Sequence, residues 1–415
     1  MDKVQQVRGT KDIFPAEMAK YNSVIDKARS VSKIFGFDEA SFPLLEKSQV
    51  FTRPLGESSD VVSKEMYSFN DRGGDSITLR PEGTAGIIRS ILSNGKLNDL
   101  PLKLFYSGPM FRYERPQKGR LRQFTQIGIE SIGNPDALED VEVILCGIKI
   151  LSGLGIKKNC ILNINTLGDN VSRNEYKKNL VKYFLKHETQ LSELSKNRLS
   201  LNPLRILDSK EIEDQEIIKN APLFSSFLNN SSIDHFEKVL KYLKKLDVEF
   251  IHNEKLVRGL DYYCHTTFEF ITEDLGTQGT VLGGGRYDGL SEMLGGPHIP
   301  AVGFAAGVDR LVMMNKLNND LPMAISIIPI QKENFDHCYS LMNTLRNNNI
   351  RAETHPGGNV SKYLKKINKK NQKIVILVGD KEIENKKVVL KNLSTGDQFE
   401  VQNEELIKKI NMQSY

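Results

Sequence analysis

Residues 104–133 constrain this chain more than any other stretch. Leu104 to Glu114 and Arg122 to Gly133 are β-rich runs joined by a loop with Pro116 and Gly119, a pattern that predicts a long hairpin. Alternate side chains of a strand share a face, so Arg112 and Glu114 are expected to point one way together. On the return strand Gln126, Gly128 and Glu130 share a face in the same manner. Polar residues alternating on strands this apolar imply a lined cavity. Arg112, Arg115, Lys118, Arg120 and Arg122 crowd into the same connection. On charge alone that run reads equally as a solvated face or a nucleic-acid patch.

The 415 residues suffice for two or three domains with a substantial core. Hydrophobic content of 39% and charged content of 26% are those of a globular chain, and no 18-residue apolar run is present to span a bilayer. The N-terminal MDKVQQVRGTKD lacks the apolar segment of a secretory signal, so a cytoplasmic protein with no membrane partner is expected. Cys146, Cys160, Cys264 and Cys338 form no CxxC pair; neither a disulfide framework nor a zinc site is expected. The histidines also lack ligand spacing, so no structural metal is expected. The net charge of +5 equals the excess of 15 Lys and Arg over 10 Asp and Glu after Pro322. Phosphate backbones attract such a segment, and lysine-rich composition produces it too.

Elsewhere the pattern is helical from about Glu17 to Phe35, with Met18, Tyr21, Ile25 and Ala28 at helical spacing. FGFDEASFPLLE then gives a β-like run ending near Pro43. A turn at Arg72-Gly73-Gly74 separates two strand-like runs. In LRPEGTA, Pro81 stops the strand and Glu82, Gly83 and Thr84 open a helix, where a hydroxyl and a carboxylate also suit simple capping. From about 170 to 250 long helical patterns take over, with Phe236, Leu240, Leu243 and Leu246 following a Ser232 cap, and no polar constellation stands out. LVRGLDYYCHTTFEF is Gly-interrupted and then alternates as a strand. In GTQGTVLGGGRYDGL, Asp288 stands where a dinucleotide fingerprint needs glycine, so Gly283, Gly284 and Gly285 mark instead a strand that a ligand can approach closely. AVGFAAGVDRL breaks at Gly307 and starts a helix with Arg310 in its first turn, a place that favours an anion. The last segment reads βαβαβββα, a small α/β domain.

FRYERPQKGRLRQFTQ resembles motif 2 of the class II aminoacyl-tRNA synthetases and is similar in detail to the histidyl-tRNA synthetases. LVRGLDYY resembles a signature confined to that family and close relatives; SFPLLE and AVGFAAGVDRL resemble class II motifs 1 and 3. The resemblance implies that Arg112 and Arg258 contact the ATP α-phosphate from two sides as the catalytic pair, and that Arg120 and Arg310 reach the distal phosphates. Glu114 would meet the adenine amino group and Phe124 would stack on the ring. Glu82 and Thr84 would receive the α-amino group of histidine, and Gln126 would also bind the histidine. Tyr262 and Tyr263 would line the imidazole pocket, with Glu130 accepting a ring N–H.

The fold implied is α+β: a catalytic domain over 1–321, with an antiparallel sheet flanked by helices and a helical insertion at about 170–250, then a small α/β anticodon-binding domain over 322–415. The partners implied are L-histidine, ATP with Mg²⁺, tRNA(His) and a second copy of the chain in a homodimer. In that family the insertion approaches the tRNA acceptor arm. Lys362, Lys365, Lys366, Lys369, Lys370 and Lys373 suit phosphates or mere helix solubility. Leu121 and Thr125 stand where the family often has aromatic residues or histidine, which leaves acceptor-end discrimination open. Two other readings stand beside the ligase: the regulatory paralogue that partners a short ATP phosphoribosyltransferase, and a non-catalytic RNA-binding module. The first resembles only the catalytic core, lacking the C-terminal domain, and the second leaves the nucleotide constellation unexplained.

Overall fold

A computed structural model describes residues 3–56, 59, 61–207, 209–276, 279–316, 324–369 and 372–413. The expected boundary at 321/322 and Lys370 lie outside the described residues. By contacts the chain separates into Met1–Asn318 and Asn319–Tyr415.

In the first unit the strands are β1 (Asp38–Glu39), β2 (Leu45–Lys47), β3 (Tyr67–Asn70), β4 (Ser76–Leu79), β5 (Leu102–Phe111), β6 (Gln123–Ile132), β7 (Ile161–Thr166), β8 (Ile251–His252), β9 (Cys264–Ile271), β10 (Thr280–Arg286) and β11 (Ala301–Gly307). The helices are α1 (Pro15–Ile34), α2 (Gln49–Leu55), α3 (Thr84–Ser93), α4 (Ala137–Gly153), α5 (Asn170–Leu185), α6 (Glu193–Leu201), α7 (Ile212–Lys219), α8 (Asn230–Lys245), α9 (Leu290–Met293) and α10 (Val308–Met314). Eight strands form one sheet in the order β1-β5-β6-β11-β10-β9-β7-β8. Its six central strands pair antiparallel, while β1 and β8 add parallel edges. This is the expected α+β architecture.

The hairpin is the β5–β6 pair, in register from Leu102 opposite Ile132 to Phe111 opposite Gln123. Its first strand stops at Phe111, so Arg112 and Glu114 lie in the connection and not on a strand face as expected. Period-two alternation divides the sheet. Ile127, Ile129, Phe268, Phe270, Val302 and Phe304 bury in one core with residues of α1, α4 and α8, each such side chain contributing about 1.5–3 kcal/mol. On the opposite face Gln126, Gly283 and Ala305 open onto a cavity. Helix α4 starts where Asp136 accepts a hydrogen bond from the Leu138 amide at 2.8 Å, with Glu139 and Asp140 in the first turn.

Of the helices in the stretch expected as an insertion, α5 to α7 surround a separate apolar cluster that includes Tyr176, Leu180, Phe184 and Phe224, whereas α8 packs on the sheet core through Phe236, Val239 and Leu243. The cap of α8 is Asn229, which accepts from the Ser232 amide at 2.9 Å. Ser232 is therefore inside the helix and not the expected cap. The second unit runs β12 (Ile325–Pro329), α11 (Phe335–Asn347), β13 (Ala352–Thr354), α12 (Val360–Lys369), β14 (Ile374–Val378), α13 (Asp380–Glu384), β15 (Lys387–Asn392), β16 (Gln398–Gln402) and α14 (Leu406–Gln413). It has a five-stranded sheet, β13-β12-β14-β15-β16. The short α13 and a 3₁₀ turn at Lys332–Asn334 are additions to the sequence expectation.

Candidate active site

A cavity of about 390 Å³ opens on the face of the large sheet opposite the α1, α4 and α8 core. Eleven of the twelve expected site residues line it: Glu82, Thr84, Arg112, Glu114, Arg120, Phe124, Gln126, Arg258, Tyr262, Tyr263 and Arg310. Strand β6, the hairpin connection, the loop before β9 and the start of α10 thus meet at one place.

The arginines are held by backbone as much as by acids. Arg112 Nε donates to the Pro81 carbonyl at 2.9 Å, and its guanidinium stands 5.5 Å from the centre of the Phe124 ring. Arg310 donates to the carbonyls of Thr280 and, at 3.4 Å, Gly119. Burial first, then the like charges of Arg120 and Arg112, hold Arg310 below the usual guanidinium range. A polyanion would relieve that repulsion. Glu114 lies 2.9 Å from Arg120, off the axis for a hydrogen bond, and 3.8 Å from Arg112. Arg258 pairs with Glu269, whose other oxygen accepts from Thr280 Oγ1 at 2.8 Å. Burial works against the charge on Arg258, but Glu269 and the two tyrosines outweigh it and hold its pKa above the usual range.

The other end is built from buried acids and phenols. Glu82 accepts from the amides of Thr84 at 2.7 Å and Ala85 at 2.8 Å, so it caps α3 while still facing the cavity. Burial raises its pKa against those hydrogen bonds. The Tyr262 hydroxyl is 3.5 Å from Glu82 Oε2, and the rings of Tyr262 and Tyr263 pack 4.7 Å apart. Glu130 departs from its expected place: it is absent from the cavity wall and 0% exposed. One oxygen accepts from Thr84 Oγ1 at 2.7 Å and the other from the Tyr287 hydroxyl at 2.5 Å. A direct bond from Glu130 to a ligand's ring N–H is not set up here; the Thr84 hydroxyl stands between. With hydroxyls as partners and no cation in contact, burial pushes the Glu130 carboxyl up to about 8.

Sequence reasoning missed Glu269 and Tyr287. A lone carboxylate between two phenylalanines in a β-pattern was the available signal for the first. The glycine run also has another meaning than ligand approach. A Cβ at Gly283 would meet Arg258 Nη2 at 2.6 Å, and one at Gly284 the Gly303 carbonyl at 2.1 Å. These glycines admit protein atoms, and Gly283 makes the seat of the Arg258 guanidinium.

Comparison with known proteins gives the family. The family model described as histidyl-tRNA synthetase matches residues 9–311, and one described as anticodon binding domain matches 324–413. The histidine--tRNA ligase of Gluconobacter oxydans (strain 621H) is 47% identical over 97% of each chain. That of Wolbachia pipientis wMel is 46% identical over 98% of this chain and 99% of its own. The crystal structure of apo S. aureus histidyl-tRNA synthetase superposes with a TM-score of 0.82 at 32% identity, covering 98% of this chain and 99% of that one. Similarity of this depth, sustained through both units, reaches past a shared scaffold: the chain belongs to the histidyl-tRNA synthetase family.

Proposed function

We propose that this chain is a histidine–tRNA ligase, which joins L-histidine to ATP as histidyl-adenylate and then transfers the histidyl group to the 3′ end of tRNA(His). One observation carries the reading: four guanidiniums, from Arg112, Arg120, Arg258 and Arg310, converge on a cavity whose opposite end is lined by Glu82, Thr84, Tyr262 and Tyr263. In activation a histidine carboxylate oxygen bonds to the α-phosphorus as the bond to the β-phosphate oxygen breaks, releasing pyrophosphate. Negative charge builds on the α-phosphate oxygens, where Arg112 and Arg258 act as fixed, permanently charged donors. Arg120 and Arg310 hold the leaving pyrophosphate, and Mg²⁺ enters with ATP as part of the substrate. On ATP entry Arg120 exchanges Glu114 for phosphate, which frees Glu114 for the adenine amino group beside the Phe124 ring.

At the other end Glu82 and Thr84 take the α-ammonium, and Tyr262, Tyr263 and Gln126 enclose the imidazole. Glu130 acts through Thr84. A pocket built to hydrogen-bond a polar ring rejects isosteres lacking the polar atom by about 10⁴-fold, because its own buried groups would be left unpaired. In this reading residues 1–321 are catalytic and 322–415 bind the anticodon. The enzyme is a cytoplasmic homodimer, in keeping with exposed apolar side chains at Leu44 and Leu45 in the motif 1 stretch. Among the described residues no helix is long and apolar enough to cross a membrane.

Aminoacylation of total tRNA with histidine tests the assignment, and charging with another amino acid or none refutes it. Arg258→Ala tests the geometry. Histidine-dependent ATP–pyrophosphate exchange should fall by about 10²-fold or more, the usual cost of removing a preorganised donor; near-normal exchange removes Arg258 from catalysis.

A further inference from the structure

The loop that carries Arg258, Tyr262 and Tyr263 is gripped from outside the sheet. Arg173, on α5 of the helical insertion, donates through Nη1 to the carbonyl oxygens of Asp261, at 3.1 Å, and Tyr263. Arg205, just after α6, donates to the carbonyl of Gly259. Asn202 Nδ2 donates to Asp261 Oδ1 at 2.7 Å. Alternate carbonyls of the loop, at 259, 261 and 263, therefore end on insertion side chains.

The gap left between insertion and loop is about 20 Å³, and Arg258 lines it as well as the main cavity. Such a volume holds one water at most. The insertion cannot draw back without undoing these contacts. Arg173 and Arg205 are half-buried and touch no residue expected to bind substrate except through the main chain. A terminal guanidinium nitrogen carries two N–H donors, so Arg173 Nη1 alone can hold two carbonyls that a flexible loop would otherwise leave to water. A lysine ammonium ends one bond nearer the main chain and reaches those carbonyls less well.

We propose that Arg173 and Arg205 are positioning residues for histidine activation: the helical insertion sets the position of loop 257–263 and so places Arg258 against the α-phosphate and the two tyrosines around the amino acid. The proposal rests on the role given above to Arg258. It makes the insertion part of the first half-reaction, in which no tRNA takes part.

The test is ATP–pyrophosphate exchange on the full-length chain carrying Arg173→Lys, Arg205→Lys, Arg173→Ala or Arg205→Ala, with thermal unfolding recorded in parallel. A displacement of about 1 Å costs on the order of 10²-fold, so each alanine variant should lose about 10- to 100-fold in kcat, with the KM for histidine raised and that for ATP changed by less than about 3-fold. The lysine variants keep charge and stem, and they should fold yet recover only part of the rate. In an Arg258→Ala background, adding Arg205→Ala should cost less than about 3-fold, since residues acting as a unit are not additive. Wild-type exchange in the folded lysine and alanine variants overturns the proposal, and so does a fully additive loss in the double variant. If Arg258→Ala alone leaves exchange intact, the role of Arg258 is what fails; the histidine KM of the Arg173 and Arg205 variants then still reports on the clamp through Tyr262 and Tyr263.

Discussion

Arg286 and Tyr287 are neighbours in the chain, yet they serve opposite faces of one sheet. Arg286 runs to Asp140 at the start of α4, at 3.0 Å from Nε to Oδ2, and also holds the carbonyls of Asn134 and Asp136 at 3.2 Å. Tyr287 reaches Glu130 on the cavity side. Both carboxylates are 0% exposed, but their protonation differs. Burial opposes the charge of Asp140, and Arg286 with His235 outweighs it, holding that carboxyl below the usual range. Glu130 has no such cation, and burial raises it. Burial alone does not mark a functional acid; the partner does. A buried acid paired with a cation locks the helix to the sheet, whereas one partnered only by hydroxyls is left responsive to a ligand.

The largest effect should come from breaking the paired face. Arg286→Ala leaves Asp140 buried and charged without its partner, which typically costs 3–5 kcal/mol. Urea unfolding should show that loss. A variant as stable as the parent would erase the distinction between the two acids, because the pair would then be holding nothing.

Next comes a change on the cavity face that spares the core. Gly283 has no positive φ to protect, so Gly283→Ala acts through its new Cβ against the Arg258 guanidinium. Exchange activity should fall by about 10²-fold, as expected for a displaced transition-state donor, while the unfolding midpoint stays close to that of the parent. Loss of stability without loss of activity would mean that Gly283 serves strand packing instead.

This contrast also explains how much was legible in the sequence. Strand period shows in Gln126, Gly128 and Glu130, and the arginines are visible because their motifs are local strings. What covers Glu130 is not local: Thr84 and Tyr287 lie 46 and 157 positions away, and only the packing of α3 and the end of β10 around β6 brings them there. Arg112 and Glu114 read as strand residues because their composition continues that of β5, although pairing ends at Phe111. Asn229 and Ser232 are both good caps three positions apart, so composition cannot choose between them. Arg173 and Arg205 left no mark at all, since their targets are backbone carbonyls, which every residue possesses. The glycines at 283 and 284 were visible, but whether they admit a ligand or a neighbour depends on what lies opposite.

The smallest expected effect separates the two acids by pH. Glu130 titrates near 8 in the folded chain against an ordinary 4.5, so between those values the unfolded chain gives up a proton that the folded chain keeps. Stability from this group is full below about 4.5, declines as pH rises, and is gone above about 8. Asp140 works the other way, and its contribution is lost only as pH falls below its ordinary 3.8, so the two windows do not overlap. His265, lowered from 6.5 by burial and then by His235, does fall within the Glu130 window and opposes it, because a histidine kept neutral gains stability as pH rises. The informative quantity is therefore the difference between the parent and Glu130→Gln, in which His265 cancels. The amide cannot ionise, so the variant should gain on the parent steadily from about pH 5 to pH 8 in urea unfolding. Parallel profiles for the two proteins would mean that Glu130 is already charged in the folded state, and the cavity face would then hold its acid no differently from the helix face.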